Sequence, residues 1–387
     1  MMAVQPRKLG ILGGGQLGMF FVLAARQLGF RVTVWDPNPD APAGAVADTF
    51  ISAPFEGESR ACQTFLKESE AVTYEWENVP VSLVETLERT CPVRPGSRIL
   101  RLLQNRILEK RFLVEHKFPV TPFRVLETPG ELNRVFSDFT LPAICKTATA
   151  GYDGHGQWRL KNREDIHALR EALQPRGAGW IIEKWAPLIK ELSVIIARNE
   201  EGNLKAYPVT ENRHEDGILR LCQIPADVGP DITRKAVSLA AEVIAALEGV
   251  GVFCVEFFLM ENGELLINEI APRPHNSGHY SMNVATVSQF EHQVRILCGL
   301  PLLEVQLLSP AVMVNILGPE VSAAESPEQL KRLLSIPGAR LYHYRKQGIK
   351  TGRKMGHVTL AHPDPHQALE RANKVRALLD RAASNTP

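Results

Sequence analysis

The chain has 387 residues, with 44 Lys and Arg against 43 Asp and Glu and a formal net charge of +1. That balance leaves no basic footprint for a nucleic-acid partner, and 44% hydrophobic with 22% charged residues excludes a disordered chain. No apolar run reaches the eighteen residues a membrane span needs, and at about 150 residues per domain the length predicts two or three domains with their own cores.

Lys8 to Leu12 is a short apolar run, followed by Gly13-Gly14-Gly15, an amphipathic stretch from Gln16 to Leu28 closed by Gly29, and a second apolar run from Arg31 to Trp35 that ends at Asp36. Strand, turn, helix, strand is the opening of a doubly wound parallel α/β sheet. Leu9 to Ala25, preceded by Arg7 and Lys8, comes nearest to a secretory leader, but the glycine cluster and Gln16 interrupt the apolar core a leader needs. Thr49 to Ser52, Ala71 to Glu75 and Pro92 to Arg94 are further strand candidates, and the first domain is expected over 1–103. Gln104 to Lys117 reads as a charged helix stopped by Pro119 and Pro122. Strands dominate from Leu141 to Ala271, with helices at Glu164 to Leu173 and Asp231 to Leu247 and hairpin turns at Glu201-Gly202-Asn203 and Asn262-Gly263. A second domain is expected over 104–299 and a small mixed third domain over 300–387.

Six cysteines lie far apart, with no CxxC and no local Cys/His metal spacing. Most sit in apolar patterns, which predicts buried free thiols in a reducing compartment and a cytoplasmic location. Gly13, Gly15 and Gly18 fit G-x-G-x-x-G, with Asp36 closing the next strand. Such glycines either let the backbone approach a phosphate or merely shape the strand–helix turn.

Gly251 to Ala271 carries more chemistry. A two-residue Asn262-Gly263 turn pairs Glu261 with Glu264 and, counted outward, Glu256 with Glu269. The flanks, Val252 to Val255, Phe257 to Leu259 and Leu265 to Ile267, are apolar on both faces. Two opposed, desolvated carboxylates repel each other unless a cation bridges them or one is protonated. Hard oxygen ligands beside a nucleotide suit Mg²⁺, and Asn268 offers a neutral oxygen. Upstream, the strand Leu141 to Cys145 ends at Lys146, a point charge for a phosphate, followed by a loop with Gly151, Gly154 and Gly156 whose backbone N–H groups can fold over phosphates. A further strand, Trp180 to Ile182, ends at Glu183 and Lys184.

In this order, strand–Lys, glycine loop, strand–Glu and a Glu/Asn hairpin resemble the ATP-grasp superfamily. Gly10-Ile-Leu-Gly-Gly-Gly-Gln-Leu-Gly18, Thr73-Tyr-Glu-Trp-Glu-Asn-Val79, Gly151-Tyr-Asp-Gly154, Asp216-Gly-Ile-Leu-Arg220, the run Asn268 to His279 and Gly352-Arg-Lys-Met-Gly-His357 are together similar to one of its families, the 5-(carboxyamino)imidazole ribonucleotide synthases. The resemblance spans about Lys8 to Leu360. It implies an α/β and α+β architecture: a pre-grasp doubly wound domain, a central ATP-grasp domain and a C-terminal capping domain, commonly as a homodimer.

For chemistry the resemblance implies phosphorylation of bicarbonate by ATP and carboxylation of aminoimidazole ribonucleotide, with Mg²⁺, or Mn²⁺ in its place, on Glu256, Glu269 and Asn268. ATP would then meet Arg106, Lys146, the loop Gly151, Tyr152, Asp153, Gly154, His155 and Gly156, then Glu183, Lys184, Trp185, Ala186 and Glu191, and His214. The ribonucleotide would meet Gln16, Leu17, Glu75, Arg273, His275, Asn276, Ser277, Lys346 and Arg353, with Tyr152, Asp153, Arg273, His275 and Asn276 around the reacting groups. The expected partners are small molecules alone. His279 and His357 read as structural.

The chain departs from the family pattern at three places. His155 stands where Arg or Lys is usual, Lys350-Thr351 replaces Arg-Pro, and Arg345 competes with Lys346 for one basic position. Rival readings are a formate-dependent glycinamide ribonucleotide transformylase, which shares the ATP residues, a nicotinamide oxidoreductase resting on the first glycine loop alone, and a binding protein that has kept the fold without the reaction.

Overall fold

The computed structural model describes residues 7–149, 151, 156–173 and 179–384. Four short parallel strands, β1 (Lys8–Leu12), β2 (Arg31–Asp36), β3 (Thr49–Ser52) and β4 (Ala71–Tyr74), form a sheet in the order β3-β2-β1-β4. Both faces are covered, as a parallel sheet requires. Phe20 and Phe21 of the helix Gln16–Gln27 lie with Phe290 and Val294 of the helix Gln289–Leu297 in one core, while Trp35, Phe65, Tyr74, Leu83 and Val84 fill the other. Pro92–Arg94 contributes only a single parallel bridge, from Val93 to Val72, in place of the expected strand.

Four antiparallel strands, β5 (Phe123–Leu126), β6 (Ala143–Thr147), β7 (Gln157–Leu160) and β8 (Trp180–Lys184), make a separate sheet in the order β5-β8-β6-β7. The remaining strands are β9 (Leu188–Arg198), β10 (Leu204–Ala206), β11 (Thr210–Glu215), β12 (Ile218–Ile224), β13 (Gly251–Met260), β14 (Leu265–Ala271), β15 (Ala311–Leu317), β16 (Ala339–His343) and β17 (Lys354–Ala361). They form one sheet in the order β14-β13-β9-β11-β12-β15-β17-β16, with β10 on β9. Pairing of β12 with β15 carries the sheet from the middle of the chain into its last third.

The helix Arg106–Glu115 starts where Asn105 accepts from the amides of Ile107 and Leu108, two donors that have no partner inside a helix. Leu113 anchors it in the core that holds Val194, Phe253, Val255, Phe257 and Ile267. All six cysteines are free and buried. No helix among the described residues is long and apolar enough to cross a membrane.

Candidate active site

The β13–β14 hairpin places Glu256 opposite Glu269, but by a different route from the two-residue turn. Met260 N–H donates to the Glu264 carbonyl at 2.9 Å and Gly263 N–H to the Met260 carbonyl at 2.9 Å, so the loop holds three residues, Glu261-Asn262-Gly263, and Glu261 does not pair with Glu264. Gly263, at φ +79°, supplies the left-handed position that such a loop needs. Leu259, Phe258 and Phe257 then oppose Leu265, Leu266 and Ile267, one residue out of the expected register. A bulge restores it: Asn268 is the extra residue, and Glu256 faces Glu269. The bulge also breaks the alternation of faces. Asn268 Nδ2 lies 3.5 Å from Glu256 Oε2, so Asn268 shares a face with Glu256, and its buried Oδ1 has no hydrogen-bond partner. Two opposed carboxylates and an orphaned amide oxygen form a hard-oxygen donor set that fits Mg²⁺.

Positive charge surrounds this face. Arg106 Nη1 pairs with Glu269 Oε2 at 2.7 Å, and its Nη2 reaches the Gly151 carbonyl at 3.5 Å. Lys146, at the end of β6, lies 2.5 Å from Glu183 Oε2 on β8, and Lys110 lies 3.1 Å from Glu183 Oε1. Burial alone would raise the Glu183 carboxyl; the two ammonium groups outweigh it and pull it down to about 2. Glu183 is therefore an enclosed anion that holds two lysines. Each of its oxygens is paired with an ammonium, so it does not face a ligand as a free carboxylate. Lys184 is exposed, and the Trp185 ring lies against the Arg159 guanidinium at 5.6 Å. Ala186 turns the chain through its carbonyl, which accepts from Leu188 N–H. His214 Nδ1 pairs with Glu191 Oε2 at 2.6 Å; burial opposes the charged ring, but Glu191 raises its pKa overall.

The residues after β14 form a second group. His275 Nε2 is 3.3 Å from Glu256 Oε1, and its Nδ1 accepts from Ser277 N–H at 3.3 Å and lies 2.8 Å from Ser277 Oγ. That assigns the ring proton to Nε2. Burial, with Arg273 and Lys354 nearby, keeps this histidine well below its ordinary pKa and therefore neutral. Ser277 is fully enclosed and also meets Ser193 Oγ at 2.8 Å, so it orients His275 instead of facing a ligand. Asn276 is buried with neither end of its amide hydrogen-bonded. Arg273 makes a two-point pair with Glu77, with Nη2 to Oε1 at 2.9 Å. Glu77 is thereby held below the usual carboxylate range against the effect of burial.

In the first sheet the glycine turn is already filled. Glu75 accepts from Gly15 N–H at 2.5 Å and from Gly18 N–H at 2.7 Å, and Asp36 accepts from Gly14 N–H at 2.6 Å. A Cβ on Gly15 would lie 2.4 Å from Glu75 Oε1, which explains that glycine. The amides of Gly14, Gly15 and Gly18 are thus taken by carboxylates, which removes from the nicotinamide reading the glycine donors it rests on. Leu17 packs into the core behind the turn, leaving Gln16 as the partly exposed side chain at the helix start. Lys346 lies close enough to Glu75 to oppose the upward pull of burial on that carboxyl, and its Nζ sits 5.5 Å from the Tyr344 ring. Arg353 folds onto its own loop, donating to the carbonyls of Gln347 and Gly348. His279 and His357 are fully buried and stacked, with centroids 4.8 Å apart. Tyr152, Asp153, Gly154 and His155 lie outside the described residues; Gly156 is described, and its carbonyl accepts from Thr147 N–H.

Lys110, Glu109, Glu77 and Lys354 also belong to this neighbourhood, the first two outside any motif and the last two inside motifs that do not mark them individually. A usable signal for the first two is the spacing of Arg106, Glu109 and Lys110, which puts three charges on one face of a helix whose apolar positions are already accounted for.

This fold and site define an ATP-grasp enzyme. The ATP-grasp domain family matches residues 111–290, the ribonucleotide synthetase preATP-grasp domain residues 6–104 and the phosphoribosylaminoimidazole carboxylase C-terminal domain residues 311–371. N5-carboxyaminoimidazole ribonucleotide synthase of Bacillus subtilis (strain 168) is 40% identical over 368 residues, covering 95% of this chain and 94% of its own. A solved ADP complex of an N5-carboxyaminoimidazole ribonucleotide synthetase superposes with a TM-score of 0.92 at 38% identity, covering 99% of this chain and 100% of that one. The Aspergillus clavatus enzyme, solved with ADP and 5-aminoimidazole ribonucleotide, gives 0.88 at 34% identity over 97% of this chain and 99% of that one. The chain belongs to the N5-carboxyaminoimidazole ribonucleotide synthase family.

Proposed function

We propose that the chain carboxylates the exocyclic amine of 5-aminoimidazole ribonucleotide with bicarbonate at the expense of ATP, in purine biosynthesis. The observation that carries this reading is the Glu256–Glu269 pair with Asn268 on the same face, bordered by Arg106 and close to the Lys146–Glu183 pair. Glu256, Glu269 and Asn268 are the residues that would hold Mg²⁺, or Mn²⁺ in its place; bound there, the cation supplies neutralisation of the ATP phosphates. Arg106, Lys146 and the backbone of Gly151 and Gly156, with Tyr152, Asp153, Gly154 and His155 between them, bind the phosphates. Glu183 aligns Lys146. Lys184, Trp185 and Ala186 offer backbone to the base, and Glu191 with His214 borders the nucleoside.

Bicarbonate oxygen attacks the γ-phosphorus, ADP leaves, and carboxyphosphate forms. Its carboxyl group passes to the amine and phosphate leaves. Asn276, with both ends of a buried amide unpartnered, suits bicarbonate, which offers both a donor and acceptors. Neutral His275, oriented by Ser277, and Arg273, held by Glu77, border the same space. Gln16, Glu75, Lys346 and Arg353, with the backbone at Leu17, border the ribonucleotide. Exclusion of water protects the labile carboxyphosphate. We carry over a homodimer from the family resemblance, and six free buried thiols suit a reducing, cytoplasmic setting.

The test is ADP formation with Mg²⁺ and bicarbonate, with and without aminoimidazole ribonucleotide. Strong stimulation by that nucleotide is expected. Stimulation only by glycinamide ribonucleotide with formate would reassign the substrate and leave the nucleotide site in place.

A further inference from the structure

Four consecutive residues of β14 are each met by a side chain of the helix Arg106–Glu115. Lys110 Nζ donates to the carbonyls of Ile267 at 3.1 Å and Asn268 at 3.0 Å, Arg106 pairs with the Glu269 carboxylate at 2.7 Å, and Glu109 Oε1 accepts from Ile270 N–H at 2.6 Å. β14 is the terminal strand of its sheet, and its bulge interrupts the ladder with β13 at Asn268. Backbone groups left over at such a place need partners from elsewhere. Here the Pro119 carbonyl takes the Ile267 N–H, and one turn of helix provides partners for the Ile267 and Asn268 carbonyls and the Ile270 N–H.

Lys110, like Glu109, has no place in the chemistry proposed above, and it alone of the two reaches beyond β14. It is 2% exposed and too enclosed to meet a phosphate. Its third contact is Glu183 Oε1 at 3.1 Å, so the three hydrogens of the ammonium match three acceptors. Two of these acceptors flank the extra residue of the bulge, and the third is the carboxylate whose other oxygen holds Lys146. The metal side and the phosphate side of the site thus share one buried cation.

We propose that Lys110 is a positioning residue of the metal–nucleotide site: by holding the Ile267 and Asn268 carbonyls it keeps the bulge formed, and with it Asn268 and Glu269 on the face of Glu256. The proposal rests on the nucleotide–metal reading of that face. Without this anchor the strand is free to return to an unbulged register, in which Asn268 and Glu269 alternate between faces.

The experiment measures Mn²⁺ binding to the ADP complex by electron paramagnetic resonance in the native chain and in Lys110→Met, alongside thermal unfolding and the KM for aminoimidazole ribonucleotide. The expected result is Mn²⁺ affinity lowered tenfold or more, with the KM for the ribonucleotide within twofold of native. A merely structural role lowers the active fraction and leaves the Mn²⁺ midpoint unmoved, and that result overturns the proposal. Should Lys110→Met not accumulate as folded protein, Lys110→Gln, which keeps amide donors but loses the charge and reach, is expected to lower the affinity threefold or more; native affinity in it overturns the proposal equally. The binding assay needs neither bicarbonate nor the ribonucleotide. Native chain that fails to bind Mn²⁺ with ADP therefore defeats the nucleotide reading, while native binding with an unmoved midpoint in the variant defeats only the role of Lys110.

Discussion

Glu256 and Glu269 face each other across the β13–β14 ladder through two compensating irregularities, a three-residue loop that shifts the register by one and a bulge at Asn268 that shifts it back. A regular hairpin would give the same opposition of carboxylates but would put Asn268 on the other face. The bulge is therefore what adds a third oxygen to the pair.

Removing one carboxylate of this pair is expected to abolish most of the activity. In Glu269→Ala, ADP formation stimulated by aminoimidazole ribonucleotide should fall by about a hundredfold or more, as for loss of a group that stabilises developing charge. The Mg²⁺ requirement should rise in parallel. A native Mg²⁺ midpoint in this variant would place the cation elsewhere.

Most of what the sequence made legible comes from patterns with a fixed period. The parallel strands around the glycine turn and the lysine at the end of β6 follow from counting residues along strands and turns, whereas the count that opposes Glu256 to Glu269 uses a turn the hairpin lacks and holds because the bulge offsets the longer loop. The route to that opposition was not legible. A bulge depends on what packs at the strand edge, here Lys110 and Glu109 from a helix more than 150 residues earlier in the chain. Glu183 and Ser277 show the same limit: each sits in a motif, but whether its side chain faces a ligand or another side chain is decided by tertiary partners, Lys110 and Lys146 in one case and Ser193 in the other.

The glycine turn should behave as an internal anion site. Glu75→Ala leaves the amides of Gly15 and Gly18 without acceptors and is expected to lower unfolding free energy by about 2 kcal/mol. NADH should not bind the native chain, which fluorescence titration checks. Saturable NADH binding would mean that Glu75 leaves the turn.

Glu183 should make stability acid-sensitive in a defined window. Its carboxyl titrates near 4.5 when unfolded and is pulled to about 2 when folded, since Lys110 and Lys146 outweigh burial. A depressed folded pKa gives stability that is complete above the unfolded value and is lost as pH falls toward the folded one, here about 3 kcal/mol. Urea unfolding of the native chain and Glu183→Gln between pH 5 and the acid limit should show the gap between them narrowing as pH falls. A gap independent of pH would contradict the ion triad.

Ser277 should act through His275. Ser277→Ala removes the hydroxyl 2.8 Å from Nδ1 and frees the ring to turn. We expect kcat to fall roughly ten- to a hundredfold, as misplacement of a reacting group does, with the KM for ATP within twofold. Nitrogen NMR of the imidazole should show the Nε2–H tautomer in the native chain and a mixture in the variant. Native kcat with a mixed tautomer would remove His275 from the reaction.

Use of ATP to activate bicarbonate leaves its mark in the fate of oxygen. With bicarbonate labelled in all three oxygens by ¹⁸O, ATP, Mg²⁺ and aminoimidazole ribonucleotide, each phosphate released should carry one labelled oxygen, because the bridging oxygen of carboxyphosphate leaves with phosphorus. Phosphate carrying oxygen from water alone would show that ATP is simply hydrolysed and that no carboxyphosphate forms.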